Sequence, residues 1–254
     1  MAPMLSYAQG EATNQLDSKG QKTGKWIVHD EDGNKHYSGV FENGHPVGIL
    51  TRFYPDGVVK ATMDYDSTGR EVVARLFDEN GKLRASGLYV DRLKEGKWTY
   101  LGTNGKPVIE VNYKTDKIDG PGIRYYSNGA VMEKTTWLNG SMHGLQELFD
   151  EEGIKTTEIF YRDNKMDGAY LVLYPNARVA IKGRYKNNVK DGKWVYYFEN
   201  GNEDYSLEYS NGKLMNPELL DQRQQAVFDR YEKNKSVVKD PTMYLMDPAS
   251  YFRK

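Results

Sequence analysis

The residues best suited to chemistry are three of the four histidines, which cluster near the start of the chain at positions 29, 36 and 45. Asp30 and Asp32 lie beside them, and imidazole with carboxylate is a reasonable ligand set for zinc. The spacing argues against a metal site, because no His-x-His or His-Glu-x-x-His pattern occurs and His29 and His36 flank a turn motif. We therefore predict no bound metal and no cofactor.

The sequence contains no catalytic motif. It has no Gly-x-Ser-x-Gly elbow and no phosphate-binding glycine loop followed by a helix. Cysteine is absent, which excludes a cysteine nucleophile, disulfides and thiolate metal ligands. The carboxylates are spread through polar turn segments, where Asp favours the backbone geometry. We predict that the chain is not an enzyme and has no catalytic residues.

The charge balance narrows the class of partner. Lys and Arg number 35 against 36 Asp and Glu, so the net charge is −1, and no basic run is present. Neither nucleic acid nor an anionic lipid surface is expected to attract such a chain strongly. No apolar run approaches the ~18 residues of a membrane-spanning helix, so we predict no transmembrane segment.

The element that organises the chain is a glycine that recurs with a period of 24 residues. Eight copies fill 24–215, and only Val72 breaks the series of opening glycines: Gly24, Gly48, Gly96, Gly120, Gly144, Gly168 and Gly192. A fixed period of this length is the signature of a repeat architecture.

Three further columns repeat with the opening glycine. A second glycine follows the opening glycine by nine residues in every copy except the one with Ala177. Asn or Asp usually precedes this second glycine, which predicts a type I′ turn. The column seventeen residues after the opening is aromatic in all eight copies, and the column five residues after it is large and apolar in seven. We expect both columns to stack in the core. Their members are Phe41, Tyr65, Tyr89, Tyr113, Trp137, Tyr161, Tyr185 and Tyr209, and His29, Phe53, Phe77, Leu101, Tyr125, Phe149, Leu173 and Tyr197.

Each repeat therefore predicts a strand, a turn, a second strand with period-two alternation, and a polar turn such as Asn43-Gly44. The predicted fold is all-β: an elongated antiparallel meander of eight β-hairpin repeats with sixteen strands. The copy at 72–95 is the most degenerate, and we expect a bend or bulge there.

The repeated phrase, represented by Gly192-Lys193-Trp194-Val195-Tyr196-Tyr197-Phe198-Glu199-Asn200-Gly201, resembles the bacterial MORN-repeat-variant proteins. The resemblance covers 24–215, about three quarters of the chain. Members of this family are often labelled as antitoxin components of toxin–antitoxin systems. MORN-type modules are known mainly as scaffolds, dimerisation surfaces and membrane-associated linkers, so the resemblance implies an interaction role.

The ends of the chain depart from the repeat. Residues 1–23 are a lead-in that includes a possible edge cap, and the small residues of Ser6-Tyr7-Ala8 suit a trimmed export signal as well as an ordinary N-terminus. This favours a periplasmic or outer-membrane-associated location, with the cytoplasm as the alternative. Residues 216–234 predict a helix, because Asn216 can cap it and Pro217 suits its first position. The helix can cover the open sheet edge or dock a partner.

Residues 235–254 form an extended apolar tail in which two Asp-Pro turns frame large apolar side chains. A solvated tail carries few such groups, so we expect the tail to pack back on the protein or to insert into another one. Its predicted partner-binding residues are Met243, Tyr244, Leu245, Met246, Tyr251 and Phe252.

These patterns favour a non-catalytic scaffold that binds another protein, possibly a cell-envelope complex, through the repeat sheet and the tail. A sheet that binds carbohydrate or another ligand through exposed Tyr and Trp is the first alternative, and an antitoxin-like partner of a toxin is the second. The aromatic residues six positions after the opening complete the predicted partner-binding set: Tyr54, Tyr126 and Tyr174. A continuous patch of these rings would favour a ligand or partner surface.

Overall fold

The computed structural model describes residues 12–234, apart from the side chain of Asn234. Within that range the chain forms one antiparallel meander followed by one helix, α1 (Pro217–Asn234), which confirms the predicted fold class. The strands are β1 (Gln15–Leu16), β2 (Lys22–His29), β3 (Lys35–Glu42), β4 (His45–Phe53), β5 (Val59–Tyr65), β6 (Glu71–Phe77), β7 (Leu83–Val90), β8 (Leu93–Leu101), β9 (Pro107–Lys114), β10 (Lys117–Tyr125), β11 (Val131–Leu138), β12 (Ser141–Phe149), β13 (Lys155–Arg162), β14 (Lys165–Leu173), β15 (Val179–Lys186), β16 (Val189–Lys190), β17 (Gly192–Tyr197), β18 (Glu203–Ser210) and β19 (Lys213–Leu214).

Sequential pairing gives the sheet its topology. Each strand from β1 to β15 pairs with the next along the chain, β15 pairs also with β17, and β17, β18 and β19 continue the series. Three two-residue strands account for the difference from the sixteen predicted. Strand β1 adds to the first edge, β19 adds to the last, and β16 is separated from β17 by Asp191.

The two turns of each repeat have different backbone geometry. In the first turn, the N–H of Gly33 donates to the carbonyl of Asp30 at 3.1 Å, and Gly33 has positive φ whereas Asp32 does not. This is a type I turn closed by a glycine bulge, so the type I′ turn predicted at this column was wrong. The physical reason is loop length, because the three-residue loop needs only one left-handed residue. The type I′ geometry occurs instead at the second turn, where Asn43 and Gly44 have φ of 50° and 80°.

The opening glycine of a repeat makes a bulge. On β3 and β4, Ser38 pairs with Thr51 and Val40 with Val47, so three residues around Gly48 oppose one residue of β3. Gly48 has φ of 61°, a conformation that glycine adopts at low cost.

The degenerate third copy behaves differently from our expectation at its opening slot. Val72 pairs with Tyr65, and the ladder from there to Ala61 and Leu76 runs without a register shift. A β-branched residue disfavours positive φ, so the bulge found at the glycine openings is missing at this slot. The bulges of this copy lie farther along, between Leu76 and Phe77 and between Ser86 and Leu88, so the expected bulge occurs within 72–95 but not at Val72.

The most buried column lies two residues after the opening, at a position that the sequence analysis did not single out. Trp98 and Trp194 belong to it and are 0% and 2% exposed. Each covers a glycine on the preceding strand, because a Cβ added to Gly87 would lie 2.2 Å from Cδ2 of Trp98, and one added to Gly183 would lie 2.3 Å from Cδ2 of Trp194.

In other repeats the larger residue of this pair lies on the preceding strand and the smaller one lies two residues after the opening. Met63 pairs with Ala74, and Val111 pairs with Gly122. In these copies a large residue on one strand faces a small one on the next, which maintains close packing with different residues. The equivalent pair of Ile159 with Tyr170 joins two large residues. We call the face that carries these pairs the core face and the opposite face the outer face.

The aromatic seventeen-position column lies on the core face, as predicted. Tyr89 and Tyr113 present their edges to Trp98 with ring centroids at 5.0 and 6.3 Å, and Tyr185 does so to Trp194 at 5.1 Å. Such edge-to-face contacts add to the stability gained from burial.

The five-position column lies elsewhere, so our expectation that it shares this core was wrong. Tyr125, for example, donates a hydrogen bond to Glu110, whose neighbours Ile109 and Val111 pack in the core. Because side chains alternate along a strand, Glu110 and Tyr125 belong to the outer face. The five-position residue lies three places after the buried two-position residue on the same strand, and an odd spacing puts it on the opposite face.

Candidate interaction surfaces

The histidines considered as metal ligands lie on exposed parts of the first hairpins. His29, His36 and His45 are all exposed. Over residues 12–234, no group of three or more His, Asp or Glu side chains is arranged to hold a metal ion. The only ring contact recorded for these histidines is that of His36 with the adjacent Tyr37.

The three predicted partner-binding tyrosines bridge neighbouring repeats. The hydroxyl of Tyr54 donates to the carbonyl of Phe77 at 2.9 Å, and that of Tyr126 to the carbonyl of Phe149 at 2.8 Å. Tyr174 makes the equivalent bond to Tyr197 at 2.7 Å. All three side chains are half-buried. Their hydroxyl groups therefore hold one turn to the next, and their rings remain partly exposed.

Aspartate takes the same position in other repeats and acts within its own turn. Oδ1 of Asp30 accepts the backbone N–H groups of Asp32 and Asn34, and Asp78 and Asp150 do the same in their turns. The three tyrosines are thereby separated along the array, so they do not form one continuous patch. The predicted tail residues from Met243 to Phe252 lie outside the described part of the chain.

Lysines cover the aromatic rings of three repeats on the core face. They are Lys22 over Trp26, Lys94 over Trp98 and Lys190 over Trp194, with Nζ to ring-centroid distances of 4.5, 4.5 and 4.3 Å. Burial lowers the pKa of Lys190. Cation–π attraction stabilises this arrangement. The ring faces of these tryptophans are thus occupied by ammonium groups of the chain itself.

A polar network interrupts the core face between the tryptophan clusters. Thr135 donates to a carboxylate oxygen of Glu133, and Nε2 of Gln146 donates to the same oxygen at 3.0 Å and to Oγ1 of Thr135 at 3.2 Å. Thr135 and Gln146 are both buried. Among the described residues no buried side-chain nitrogen or oxygen lacks a hydrogen-bond partner, which is the condition under which such burial is tolerated.

The outer face carries a charged cluster beside the five-position tyrosine of the fifth repeat. Lys97 lies 2.8 Å from Glu110, and the hydroxyl of Tyr125 donates to Glu110 at 2.9 Å. The Lys97 ammonium, together with the Tyr125 hydroxyl, lowers the pKa of Glu110. Burial and the Glu110 carboxylate raise the pKa of Tyr125 to about 12. The cluster keeps Glu110 ionised, which suits a structural ion pair rather than proton transfer near neutral pH.

Exposed apolar side chains interrupt the outer face at several places, of which Val73, 43% exposed, is one. Val40 and Ile49, which are 45% and 58% exposed, line a shallow groove together with Lys25. Farther along, Leu145 pairs directly with Phe160 across β12 and β13, and both are exposed. Sequence columns alone did not reveal these residues, because both of their columns mix apolar and polar members. Val40 and Phe160 share the sixteen-position column with residues such as Asp64 and Glu208, and Ile49 and Leu145 share the one-position column with lysines such as Lys97.

Each end of the sheet is closed by a side-chain amide that imitates a strand. At the first edge, Asn14 accepts the N–H of Ile27 at 2.8 Å and donates to its carbonyl at 2.9 Å. At the last edge, Asn216 accepts the N–H of Glu208 at 2.9 Å and donates to the carbonyl of Ser206 at 3.3 Å. The amides satisfy backbone groups that would otherwise be open to another chain.

The start of α1 is anchored to this last edge. The Arg223 guanidinium makes two hydrogen bonds to Asp204, at 2.8 and 2.6 Å, and lies 4.0 Å from the ring centroid of Tyr205. Leu219 and Leu220 are half-buried. The first two turns of the helix thus cap the sheet, as the sequence predicted.

The rest of α1 leaves an apolar surface in solvent. We define the α1 stripe as Leu220, Gln224, Val227, Phe228 and Tyr231, which line one shallow depression at spacings that place them on one side of a helix. Val227, Phe228 and Tyr231 are 68%, 56% and 63% exposed. Over residues 12–234, no helix is both long and apolar enough to cross a membrane.

Comparison with known proteins supports the repeat. The family model described as MORN repeat variant matches three consecutive stretches of the chain, at 46–67, 70–91 and 94–115. The chain therefore contains MORN-variant repeats over this region, which corresponds to its second to fourth copies. Repeats of this type suggest a protein for protein or ligand interaction. No curated protein matches the chain.

Similarity to solved structures is weak. The chain resembles part of the crystal structure of TarM at 16% identity and a TM-score of 0.30, with 46% of this chain and 20% of that one covered. It also resembles a mutant of S. aureus TarM in complex with Fondaparinux, alpha-GlcNAc-glycerol and UDP at 14% identity and a TM-score of 0.30, with 47% and 21% covered. The chain thus spans about a fifth of the length of these two solved chains.

Proposed function

We propose that this array of MORN-variant repeats is a non-catalytic interaction module that binds another protein through the outer face of its sheet and through its C-terminal region. The observation that carries the proposal is the α1 stripe, three of whose large side chains are more than half exposed. Clustered exposed apolar side chains on a soluble domain mark binding surfaces.

The arrangement of the sheet supports the same role. Its core-face side chains pack against one another, and the bridging tyrosines and the end-capping amides fix the array internally. The outer face then presents the Val40 and Ile49 groove and the Leu145 and Phe160 pair on a rigid support. A rigid support lowers the entropic cost of binding.

The proposed location is the bacterial cell envelope, in the periplasm or at the outer membrane, with an envelope complex as the partner. The support is the Ser6-Tyr7-Ala8 sequence, which suits an export signal. Cell fractionation with an antibody to the native protein tests the location. Recovery in the cytoplasmic fraction alone would reject it.

Affinity capture tests the function. The full-length chain, a chain that ends at Asn234, and a Leu145→Ser/Phe160→Ser variant are each used as bait in envelope and soluble extracts of the native organism. We expect the full-length chain to retain a defined protein complex and at least one altered bait to lose it. Equal recovery with all three baits would reject these surfaces, and a toxin as the retained partner would favour the antitoxin alternative that the resemblance implies.

Carbohydrate binding is the second candidate. It is favoured by core-face tyrosines such as Tyr161, which is half-buried and belongs to a repeat with methionine where other repeats place the covering lysine. Tyrosine faces stack readily on sugars. A glycan array followed by Tyr161→Ala tests it, and binding that survives this substitution would remove Tyr161 from the site.

A further inference from the structure

Beyond the half-buried Leu220, the large apolar side chains of the α1 stripe are more than half exposed. Arg223 and Leu219 hold the helix to the last edge, whereas the stripe continues toward the end of the helix with Val227, Phe228 and Tyr231 in solvent. Its first and last members, Leu220 and Tyr231, are eleven positions apart, so the stripe is about 16 Å long. A surface of this kind is stable in water when another apolar segment covers it.

The chain itself supplies such a segment. Twenty residues follow Asn234, and six of them have large apolar side chains between Met243 and Phe252. The segment begins directly after the end of the helix, four positions beyond Tyr231. At about 3.3 Å per extended residue it is long enough to reverse direction and to run the length of the stripe.

The sequence of this segment also favours a reversal. Asp240-Pro241 is a turn dipeptide placed before the apolar residues, so the chain can travel outward, turn and return along the helix.

We propose that residues 241–252 fold back antiparallel along α1 and cover the α1 stripe, so that the helix and the segment form one C-terminal binding unit in the free protein. The proposal deepens the proposed function, because a partner that binds the segment must compete with the stripe or take both. Tethering favours the intramolecular contact, since the segment is held at a high effective concentration beside its site.

Thiol cross-linking of the full-length chain tests this directly, because the protein has no cysteine of its own. One variant carries Gln224→Cys on the stripe together with Ser250→Cys in the segment. The matched control carries Gln222→Cys, which lies on the opposite, exposed side of the same helix, together with the same Ser250→Cys. Both substitutions replace a glutamine and leave the apolar side chains in place.

We expect the Gln224 pair to form an intramolecular disulfide at least about tenfold faster than the Gln222 pair, because docking holds one thiol and not the other near residue 250. Phe228→Ser in the Gln224 background should remove the difference. Phe228 is exposed, so this variant should keep the far-ultraviolet circular dichroism of the sheet.

Two results would overturn the proposal. Equal rates for the two pairs would show that the segment does not rest on the stripe. A cross-link that joins two chains would assign the stripe to a second copy. The assay uses purified protein alone, so its failure is distinguishable from failure of the proposed function, which affinity capture tests.

Discussion

The contact between Gly87 and Trp98 provides the most direct test of how the repeats pack. A Cβ at Gly87 would lie 2.2 to 2.5 Å from three ring atoms of Trp98, far inside van der Waals contact. Gly87 lacks positive φ, so alanine fits its backbone conformation and the cost is steric. Overpacking of this kind costs about 1–3 kcal/mol, which exceeds the gain of about 0.5–1 kcal/mol expected for alanine over glycine in a strand.

The compensating variant is suggested by the pairing of Met63 with Ala74 two strands earlier. Trp98→Ala alone should cost about 3–5 kcal/mol, because it empties a fully buried site. The double variant Gly87→Met/Trp98→Ala refills that space from the other strand. We expect it to be at least about 1 kcal/mol more stable than Trp98→Ala, since a buried methionine side chain contributes about 1.5–3 kcal/mol.

Urea unfolding followed by circular dichroism measures all three variants, with Ser86→Ala as the control. Ser86 precedes Gly87 and belongs to the opposite face, so its replacement should change the free energy of unfolding by less than about 0.5 kcal/mol. The size-complementarity argument is refuted if Gly87→Ala is neutral, or if the double variant is no more stable than Trp98→Ala.

Three further changes test other parts of the structure. Ala177→Gly should raise the thermal midpoint, because Ala177 has φ of 63° and an L-residue pays about 1 kcal/mol for that conformation. Tyr126→Phe should lower the free energy of unfolding by about 0.5–1.5 kcal/mol, through loss of the 2.8 Å bond to the Phe149 carbonyl. Tyr196→Phe should reduce the fall in the free energy of unfolding between pH 10 and 12. Burial raises the Tyr196 pKa from 10.0 to about 12, so its contribution is complete below pH 10 and is lost as pH rises toward 12.

Controls and opposing outcomes accompany these changes. Gly153→Ala places alanine in the same turn position, where φ is 84° and a Cβ would meet no atom within 4 Å, and it should be destabilising. An unchanged midpoint for Ala177→Gly would contradict the strain argument. A Tyr126→Phe variant as stable as the parent would mean that the bridging bond contributes nothing measurable. If the free energy of unfolding falls between pH 10 and 12 as steeply in Tyr196→Phe as in the parent, Tyr196 is not a source of that fall.

The period of 24 was sufficient to predict the meander, because glycine and aromatic columns report turns and ring contacts directly. The turn types were not separable in the same way. The two turns of the first repeat carry closely related dipeptides, Asp32-Gly33 in the first and Asn43-Gly44 in the second. Only the pairing register of the strands decides which backbone geometry each dipeptide adopts. Val72 in place of the opening glycine suggested an irregularity, but it pairs with Tyr65 in a ladder that has no register shift.

The buried two-position column was missed because its members range from glycine to tryptophan. A search for a constant residue type cannot find such a column. The available signal was a size relation between two positions. The residue fifteen positions after one opening is small where the residue two positions after the next opening is large, as in Gly87 with Trp98, and large where that residue is small, as in Val111 with Gly122. The predicted site residues Tyr54, Tyr126 and Tyr174 were identified as aromatic, but nothing in the sequence showed that their hydroxyl groups bridge adjacent turns.

The size pairs have a consequence for how such a protein can grow by duplication. Gly87 and Trp98 belong to different copies of the 24-residue repeat, since they lie on either side of the opening Gly96. A duplicated block that runs from Gly96 to Asp119 would bring a second Trp98 against Val111, which is already matched to glycine. A block of equal length that runs from Gly81 to Asn104 keeps the glycine and the tryptophan together. Recombination should therefore tolerate breakpoints in the glycine-bulge turns and reject breakpoints at the opening glycines, so the heritable module is the hairpin of β7 and β8 rather than the repeat as the sequence displays it.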